Sequence, residues 1–335
     1  MVGYIARRLL QSVPTLLLVS VLLFVGMQLI PGGPMQAFAF NPRMSLAARE
    51  AIIHRWGLDQ PISVQYIKWL TSMLQGDWQY SFFAGRPVKE LILSHLPATA
   101  LLMGTAYIVQ EALALPAGIY QALRRYSLFD QVVTFFSYVG YSMPTFWLGL
   151  MMLMIFAVIF RILPVSGVED LNVTGAPFLS PDYNIWFGQH VLQGTLDIAR
   201  HVILPASTIA IVGIAVDSRF MRASMLDVLH QDYMRTARAK GLPERTVVLK
   251  HGLRNALLPV ITSIGLQVPL LFSGAIVTES IFSWPGMGQL FFGALTDFDY
   301  TLMMGILFVS AVLVVLSNVV ADVTYALIDP RISYA

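Results

Sequence analysis

The feature that most limits the fold of this chain is a series of long apolar runs. An α-helix needs about 20 mostly apolar residues to cross the hydrocarbon core of a membrane. Runs that meet or approach this length span residues 9–30, 98–122, 132–160, 202–220, 256–282 and 300–327. We therefore predict an all-α integral membrane protein with six transmembrane helices.

The composition agrees with a membrane environment. Hydrophobic residues make up 56% of the 335 positions and charged residues 12%, whereas about 25% of the residues of a soluble domain are charged. The net charge of +2 is too small to indicate nucleic-acid binding. The absence of cysteine excludes disulfides, thiolate catalysis and cysteine-based metal sites.

The basic residues are distributed unevenly between the two sides of the predicted bundle. With the N-terminus inside, 13 of the 21 Lys and Arg residues fall in the inside segments. Because positive charge accumulates on the cytoplasmic side, we predict that both termini are cytoplasmic. The run 9–30 is longer than the core of a secretory signal peptide and lacks a small-residue cleavage site, so we interpret it as an uncleaved first span.

Two segments are predicted on the outer side. Residues 31–96 are expected to contain helices at 45–55 and 62–74, the second between Pro61 and Gly76. Residues 161–200 contain several Pro and Gly residues, which predict a turn-rich loop.

The longest inside segment, residues 219–255, contains eight basic residues. Gly241 and Pro243 are expected to separate two helical pieces, because Gly ends a helix in a left-handed conformation and Pro suits a first turn. Glu244 is favourable at the positive N-terminal end of the second piece. A short helix between two spans would be a rigid lever for a docked partner. The alternative is a solvated basic loop that sets topology and contacts anionic lipid headgroups.

Sequence motifs along the chain resemble permeases of peptide-type ABC importers. The inside loop reads DYMRTARAKGL at 232–242 and HGLRNALLPV at 251–260. Further matching motifs are GLDQP at 57–61, YSMPTFW at 141–147, GLQ at 265–267, ESIFSWPGMG at 279–288 and DPR at 329–331. The resemblance covers nearly the whole chain and is greatest to the first permease subunit of dipeptide and oligopeptide importers. The general loop motif of importer permeases is matched more loosely, since 235–237 read Arg-Thr-Ala instead of Glu-Ala-Ala.

The resemblance implies a machine with several subunits and a type I ABC importer permease fold for this chain. It implies a second homologous permease, two ATPase subunits and an extracytoplasmic binding protein that delivers a peptide. ATP and Mg would be bound by the ATPases, which agrees with the absence of a G-x-x-x-x-G-K-[ST] phosphate loop here. This chain would be a non-catalytic subunit of the inner membrane that passes di- or oligopeptides to the cytoplasm by alternating access.

The apolar runs, together with the resemblance, divide the chain into three parts. Residues 1–30 would form the first transmembrane helix, 31–96 an extracytoplasmic segment and 97–335 the permease core, with an ATPase-docking loop at 219–255. The residues expected to dock the ATPase are Arg235, Ala237, Ala239, Gly241, Leu242, Pro243, Glu244, Arg245 and His251.

Five residues within the spans are candidates for the translocation path or its gate, namely Glu111, Met143, Pro144, Gln267 and Glu279. An ionisable group in a span is costly and therefore indicates function. Glu111 either lines the path and meets a peptide's ammonium group or makes a structural contact with a neighbouring helix or with the partner permease. Glu279 either shapes the outer gate or is an interfacial acid exposed to water.

Two local features of the spans are also predicted. Asp217 and Arg219 are expected to form a polar pair at the inner end of span four. Pro144 is expected to kink span three, because it removes a backbone hydrogen bond.

Other functions fit the sequence less well. The same type of importer could carry nickel, glutathione or an oligosaccharide instead of a peptide. The membrane part does not distinguish these cargoes, because the binding protein does most of the cargo selection. A self-sufficient secondary transporter is disfavoured because no inverted repeat is evident. A membrane enzyme would need a constellation of catalytic groups that the sequence lacks, and the scattered histidines predict no metal site.

Overall fold

The computed structural model of the chain describes residues 2–29, 53–54, 59–267 and 274–328. Its helices are α1 (Val2–Gln28), α2 (Ile62–Gln75), α3 (Val88–Leu123), α4 (Leu128–Ser142), α5 (Thr145–Met152), α6 (Leu171–Thr174), α7 (Pro181–Gln189), α8 (Val191–Leu229), α9 (Asp232–Ala239), α10 (Glu244–Thr246), α11 (Arg254–Gln267), α12 (Ile276–Ile281), α13 (Met287–Thr296) and α14 (Tyr300–Ile328). Two π-helical turns, Leu153–Ile159 and Val247–Leu253, extend α5 and join α10 to α11. Helix α2 confirms the helix predicted for residues 62–74, whereas the helix predicted for 45–55 lies largely outside the described residues.

Four of the described helices, α1, α3, α8 and α14, are long and apolar enough to cross a membrane, and α4 with α5 forms a broken fifth candidate. These four correspond to predicted spans one, two, four and six. The prediction of an all-α membrane-spanning fold is therefore confirmed. Helices α3 and α8 extend well beyond the apolar runs, because the polar residues that flank each run continue the same helix.

The predicted third span, residues 132–160, is not a single rod. Helix α4 ends at Ser142, α5 begins at Thr145, and their axes differ by 105°. Pro144 has no N–H to donate to the preceding turn, and its ring disfavours a helical conformation at the residue before it. Met143 accordingly has φ −79° and ψ 128°. The predicted kink is therefore a sharp break between two apolar helices.

The predicted fifth span, residues 256–282, is not one continuous helix either. Helix α11 is described as far as Gln267, residues 268–273 lie outside the described part, and α12 begins at Ile276. Between them Gly274 has a φ of 76°, a left-handed conformation that interrupts a right-handed helix.

The segment 161–200 was predicted to be a turn-rich loop, which is confirmed for residues 161–170 and 175–180 but wrong for the rest. It contains α6, α7 and the first residues of α8. The Ser180 hydroxyl accepts a hydrogen bond from the Tyr183 N–H at 3.1 Å, and Pro181 occupies the first position of α7. Asp170 caps α6 in the same way, accepting from the Asn172 N–H at 2.9 Å. The polar and Pro residues of this segment therefore begin helices rather than replace them.

Helices α3 and α8 form the tightest contact of the described structure. A Cβ on Gly118 would lie 2.4 Å from the Ser218 carbonyl oxygen and 2.7 Å from Met221 Cβ, so only glycine permits this approach. The two helices run parallel, because Gln110 meets Gly213 and Gly118 meets Ser218 further along both. They form the rigid centre on which the other elements pack.

The two ends of the bundle have separate apolar cores. We call the end that carries α9 and α10 the basic end. There Met225 of α8 packs with Val248 of the π-helical turn. At the opposite end Phe24 of α1 packs with Val88 of α3 and Met304 of α14.

Candidate functional site

The basic end carries two short helical pieces separated by a sharp turn. Gly241 has a φ of 74°, and Pro243 directly precedes α10. A left-handed residue after a helix favours Gly, because other residues meet a steric penalty there. The break predicted at Gly241 and Pro243 is confirmed, although Pro243 stands just before the second helix and not in its first turn.

One face of this segment packs against the end of α8. Met234 and Ala237, three positions apart on α9, are buried with Val247 and contact Leu229 of α8. A Cβ on Gly252 would lie 3.1 Å from Met234 Cε, so there is little free space within this contact. A displacement of the segment must therefore displace the end of α8.

The other face of the segment is open. Of the residues predicted to dock an ATPase, Arg235, Ala239, Gly241, Leu242, Pro243, Glu244 and Arg245 are exposed, His251 is half-buried and Ala237 is buried. The apolar side chains of Leu242 and Leu249 are 37% and 47% exposed among basic neighbours. Exposed leucines surrounded by arginines are suited to contact another protein.

An ion pair holds the turn between α9 and α10. Arg238 Nε donates to Glu244 Oε2 at 3.1 Å, and Nη2 donates to Oε1 at 2.9 Å. The Arg238 guanidinium holds the pKa of the Glu244 carboxyl below its usual range. Because both groups are exposed, the pair adds little stability. Its bidentate geometry favours one orientation of α9 relative to α10.

A second ion pair, which is more buried, joins α8 to the start of α4. Arg222 Nε and Nη2 donate to the two carboxylate oxygens of Asp130 at 2.8 and 2.9 Å. Asp130 also accepts from the Tyr126 N–H at 2.9 Å. The sequence did not suggest this pair, because its members are far apart along the chain and an Arg at the inner end of a span is expected to face lipid headgroups.

A cluster of polar side chains lies between α3, α8 and α11, within the apolar part of the bundle. Gln110 Nε2 lies 2.5 Å from Asp217 Oδ2, 3.2 Å from Glu111 Oε1 and 3.2 Å from Gln267 Oε1. Gln267 Nε2 donates to Asp217 Oδ1 at 3.3 Å. The structure thus brings together two of the predicted path residues, Glu111 and Gln267. Their shared partners, Gln110 and Asp217, were not selected as path residues from the sequence.

This cluster has more acceptors than donors. The Gln110 amide has two protons for three acceptors within reach. Glu111 Oε2 is buried and receives no hydrogen bond from a described donor, and the Asp217 carboxyl is nearby. Two carboxyl groups within a membrane are costly unless they are protonated or paired. The cluster is therefore suited to receive a proton or a positively charged group.

The predicted pair between Asp217 and Arg219 is wrong. Arg219 Nε donates to the Ala215 carbonyl oxygen at 2.8 Å, and its guanidinium carbon lies 5.2 and 5.1 Å from the ring centres of Tyr138 and Tyr141. Residues two positions apart on a helix point in different directions, so the two side chains cannot meet.

Glu279 is fully buried, so the interpretation as an acid exposed to water is wrong. Its carboxylate accepts from Thr99 Oγ1 at 3.0 Å and from the Gln289 N–H at 2.9 Å, at the N-terminal end of α13. A Cβ on Gly286 would lie 2.5 Å from the Glu279 carboxyl carbon. Glu279 therefore joins α3, α12 and α13, and it is not part of the polar cluster.

The remaining predicted path residues, Met143 and Pro144, lie at the break between α4 and α5. They line an open groove whose walls include Tyr138, Phe146 and Trp147. None of the polar-cluster residues lines this groove, so the predicted path residues occupy three separate places in the described structure.

Comparison with known proteins identifies the family. The family described as binding-protein-dependent transport system inner membrane component matches residues 114–334, and the N-terminal model of the same kind of component matches residues 1–103. The chain is 45% identical to the oligopeptide transport system permease protein AppB of Bacillus subtilis, over 100% of both chains. It is 40% identical to the di/tripeptide transport system permease protein DppB of Pseudomonas aeruginosa, over 100% of this chain and 99% of the relative. It is 37% identical to the glutathione transport system permease protein GsiC of Salmonella choleraesuis, over 100% of both.

These matches confirm the resemblance that the sequence motifs indicated, and they extend over nearly every part of the chain. The long apolar helices agree with a protein that crosses the membrane several times. The chain therefore belongs to the inner membrane components of binding-protein-dependent transport systems, as a type I permease subunit of an ABC transporter.

Proposed function

We propose that the chain forms part of the transmembrane pathway of an importer that moves di- or oligopeptides into the cytoplasm. The observation that carries the proposal is the segment at the basic end, which packs on α8 by one face and exposes Leu242 and basic residues on the other. Peptide cargo is supported by full-length relatives named for oligopeptides and for di- and tripeptides. Glutathione is the second candidate, because a relative of similar length is named for it.

The proposed machine contains a second homologous permease, two ATPase subunits and an extracytoplasmic binding protein. The ATPases bind ATP and Mg, and this chain has no catalytic role. The basic end faces the cytoplasm and both termini are cytoplasmic, in the inner membrane. The bias of 13 of 21 Lys and Arg residues towards that side supports this orientation.

In this proposal the basic end converts ATPase movement into movement of the spans. An ATPase contacts the exposed face around Leu242. Its closure pushes α10, which continues through the π-helical turn into α11. The buried contact of Met234 and Val247 transmits the same push to α8. Helices α8 and α11 hold Asp217 and Gln267, so a shift between them rearranges the polar cluster.

The polar cluster is proposed to lie along the translocation path. Glu111 and Asp217 provide negative charge there, and the ammonium group of a peptide would supply the donors that the cluster lacks. The alternative for Glu111, a contact that only joins helices, remains the competing interpretation. Met143, Pro144 and Glu279 are proposed as gate elements because they lie at a break between helices or join several of them.

The docking proposal predicts a strong effect of Leu242→Asp. The substitution places a charge in the apolar centre of the proposed contact, where a few residues supply most of the binding energy. We expect peptide uptake and peptide-stimulated ATPase activity to fall by at least about tenfold, which corresponds to about 1.4 kcal/mol. The amount of protein in the membrane should not change, because position 242 is exposed.

The matched control is His230→Asp, which adds the same charge at an exposed position of the same end. It should retain uptake and co-purify with the ATPases. Normal uptake by Leu242→Asp would refute the docking surface. In the same assay, stimulation of ATPase activity by dipeptides and not by glutathione would distinguish the two candidate cargoes.

The path proposal predicts that Glu111→Gln lowers peptide uptake several-fold while the complex assembles normally. The amide keeps the size of the side chain and removes its charge, so a loss reports on electrostatics and not on packing. Glu90→Gln, which removes a carboxylate from an exposed position near the opposite end, is the control. Equal uptake by the two variants would assign Glu111 to helix packing alone.

A further inference from the structure

Helix α2 packs against the flank of α1 and not beyond its end. The Tyr66 hydroxyl lies 2.8 Å from Ser20 Oγ. The ring of Phe24 lies 5.5 Å from that of Tyr66 and 5.9 Å from that of Trp69, centre to centre. Trp69 also contacts Phe308 of α14 at 5.7 Å. At about 1.5 Å per residue, Phe24 lies about 6 Å and Ser20 about 12 Å before the end of α1.

The length of α1 places this contact at the edge of the membrane. Its 27 residues span about 40 Å, which exceeds the hydrocarbon core of about 30 Å by about 10 Å. The apolar run of α1 begins at Leu9, after Arg7 and Arg8, so a core that starts there ends about 30 Å further on, near Gln28. The contact between α2 and Phe24 then lies about 6 Å below the outer edge of the core, within the depth of about 5–10 Å that the apolar side of an interfacial helix reaches.

The exposed residues of α2 divide into an apolar edge and a polar edge. Ile67 and Leu74 are 59% and 71% exposed, and their spacing of seven places them on the same side of the helix. The exposed Lys68 and the half-buried Gln65 are turned by about 100–180° around the helix from that edge. Gln65 Oε1 accepts from Gln28 Nε2, at the end of α1, at 3.1 Å. The polar edge therefore points away from the membrane centre, and the apolar edge points towards it.

The apolar edge continues a surface that already faces lipid. Leu17 and Val21, which flank Ser20 on α1, are 47% and 40% exposed on a helix that is long and apolar enough to span the membrane. We propose that α2 lies flat in the extracytoplasmic membrane interface, with Ile67 and Leu74 among the acyl chains and Lys68 among the phospholipid headgroups. Interfacial helices of this kind bury their apolar side about 5–10 Å into the boundary region.

Lipid fits this surface better than a soluble partner does. The apolar edge lies level with the lipid-facing part of α1, a depth that a water-soluble protein does not reach. In this position α2 anchors the segment after the first span to the bilayer. The inference is independent of the cargo and of the docking surface at the basic end.

The absence of cysteine from the chain allows a direct test. Single-cysteine variants Ile67→Cys and Lys68→Cys of the full chain are spin-labelled and reconstituted in vesicles of phosphatidylethanolamine and phosphatidylglycerol. Collision of each label with oxygen, which concentrates among acyl chains, is compared with collision with a water-soluble nickel chelate. We expect the oxygen-to-nickel ratio to be several-fold higher at position 67 than at position 68. Leu18→Cys and Asp182→Cys provide the lipid and water references.

Two results would overturn the inference. A label at position 67 that collides with nickel as readily as the label at 182 would place α2 in water. A label at 67 that collides with neither reagent would show that protein covers the apolar edge. Leu74→Cys tests the same edge from an independent position, should Ile67→Cys fail to fold.

Discussion

Replacing Arg222 by Met is expected to lower the free energy of unfolding by about 2–4 kcal/mol. The substitution keeps much of the apolar volume but leaves the Asp130 carboxylate, which is 5% exposed, without its bidentate partner. Removal of one member of a buried pair typically costs about 3–5 kcal/mol. The 26% exposure of the Arg222 side chain lets water compensate part of that loss.

Thermal unfolding in detergent with added lipid measures this effect, and Arg219→Met is the matched control on the same helix. Arg219 lies over Tyr138 and Tyr141 and has no carboxylate partner in the described structure, so its loss should cost no more than about 1 kcal/mol. The double variant with Asp130→Asn should recover part of the lost stability, because no unpaired charge remains. Equal melting temperatures for the two arginine variants would contradict the importance of the pair.

The positions of the spans could be predicted from the sequence because crossing a membrane is a local property of the chain. The apolar runs mark α1, α3, α8 and α14 without knowledge of any partner. The angle at Pro144 could not be predicted in the same way. The missing N–H is a local effect, but whether it gives a slight kink or a break of 105° depends on what packs against each half.

The turn between α9 and α10 could also be predicted, because Gly241 and Pro243 determine the backbone conformation of only a few neighbouring residues. Ala237 was predicted to dock the ATPase, but it is buried, because Met234 and Ala237 share the face of a short helix that packs on α8. The polar cluster, in contrast, could not be predicted from local sequence. Glu111 was selected by the cost of a charge in a span, but the contact that brings Asp217 to the neighbouring Gln110 depends on how α3 and α8 are aligned. That alignment is set by close packing at Gly118 and Gly213, which no local pattern reveals.

The alignment of α3 and α8 can be tested with one substitution made at two positions. Gly118→Ala is expected to lower the free energy of unfolding by about 1–3 kcal/mol, because the added methyl group overlaps the Ser218 carbonyl oxygen. Gly104→Ala on the same helix meets no atom within 4 Å. It should raise stability by about 0.5–1 kcal/mol, because alanine loses less conformational entropy in a helix than glycine does.

The comparison is informative because Gly118→Ala is expected to lower stability and Gly104→Ala to raise it. Both variants make the same chemical change in the interior of α3, so helix propensity and hydrophobicity change equally. A difference in melting temperature therefore reports the space between α3 and α8. If Gly118→Ala is as stable as Gly104→Ala, the two helices can separate at little cost. The push received at the basic end would then move Asp217 on α8 without moving Glu111 on α3.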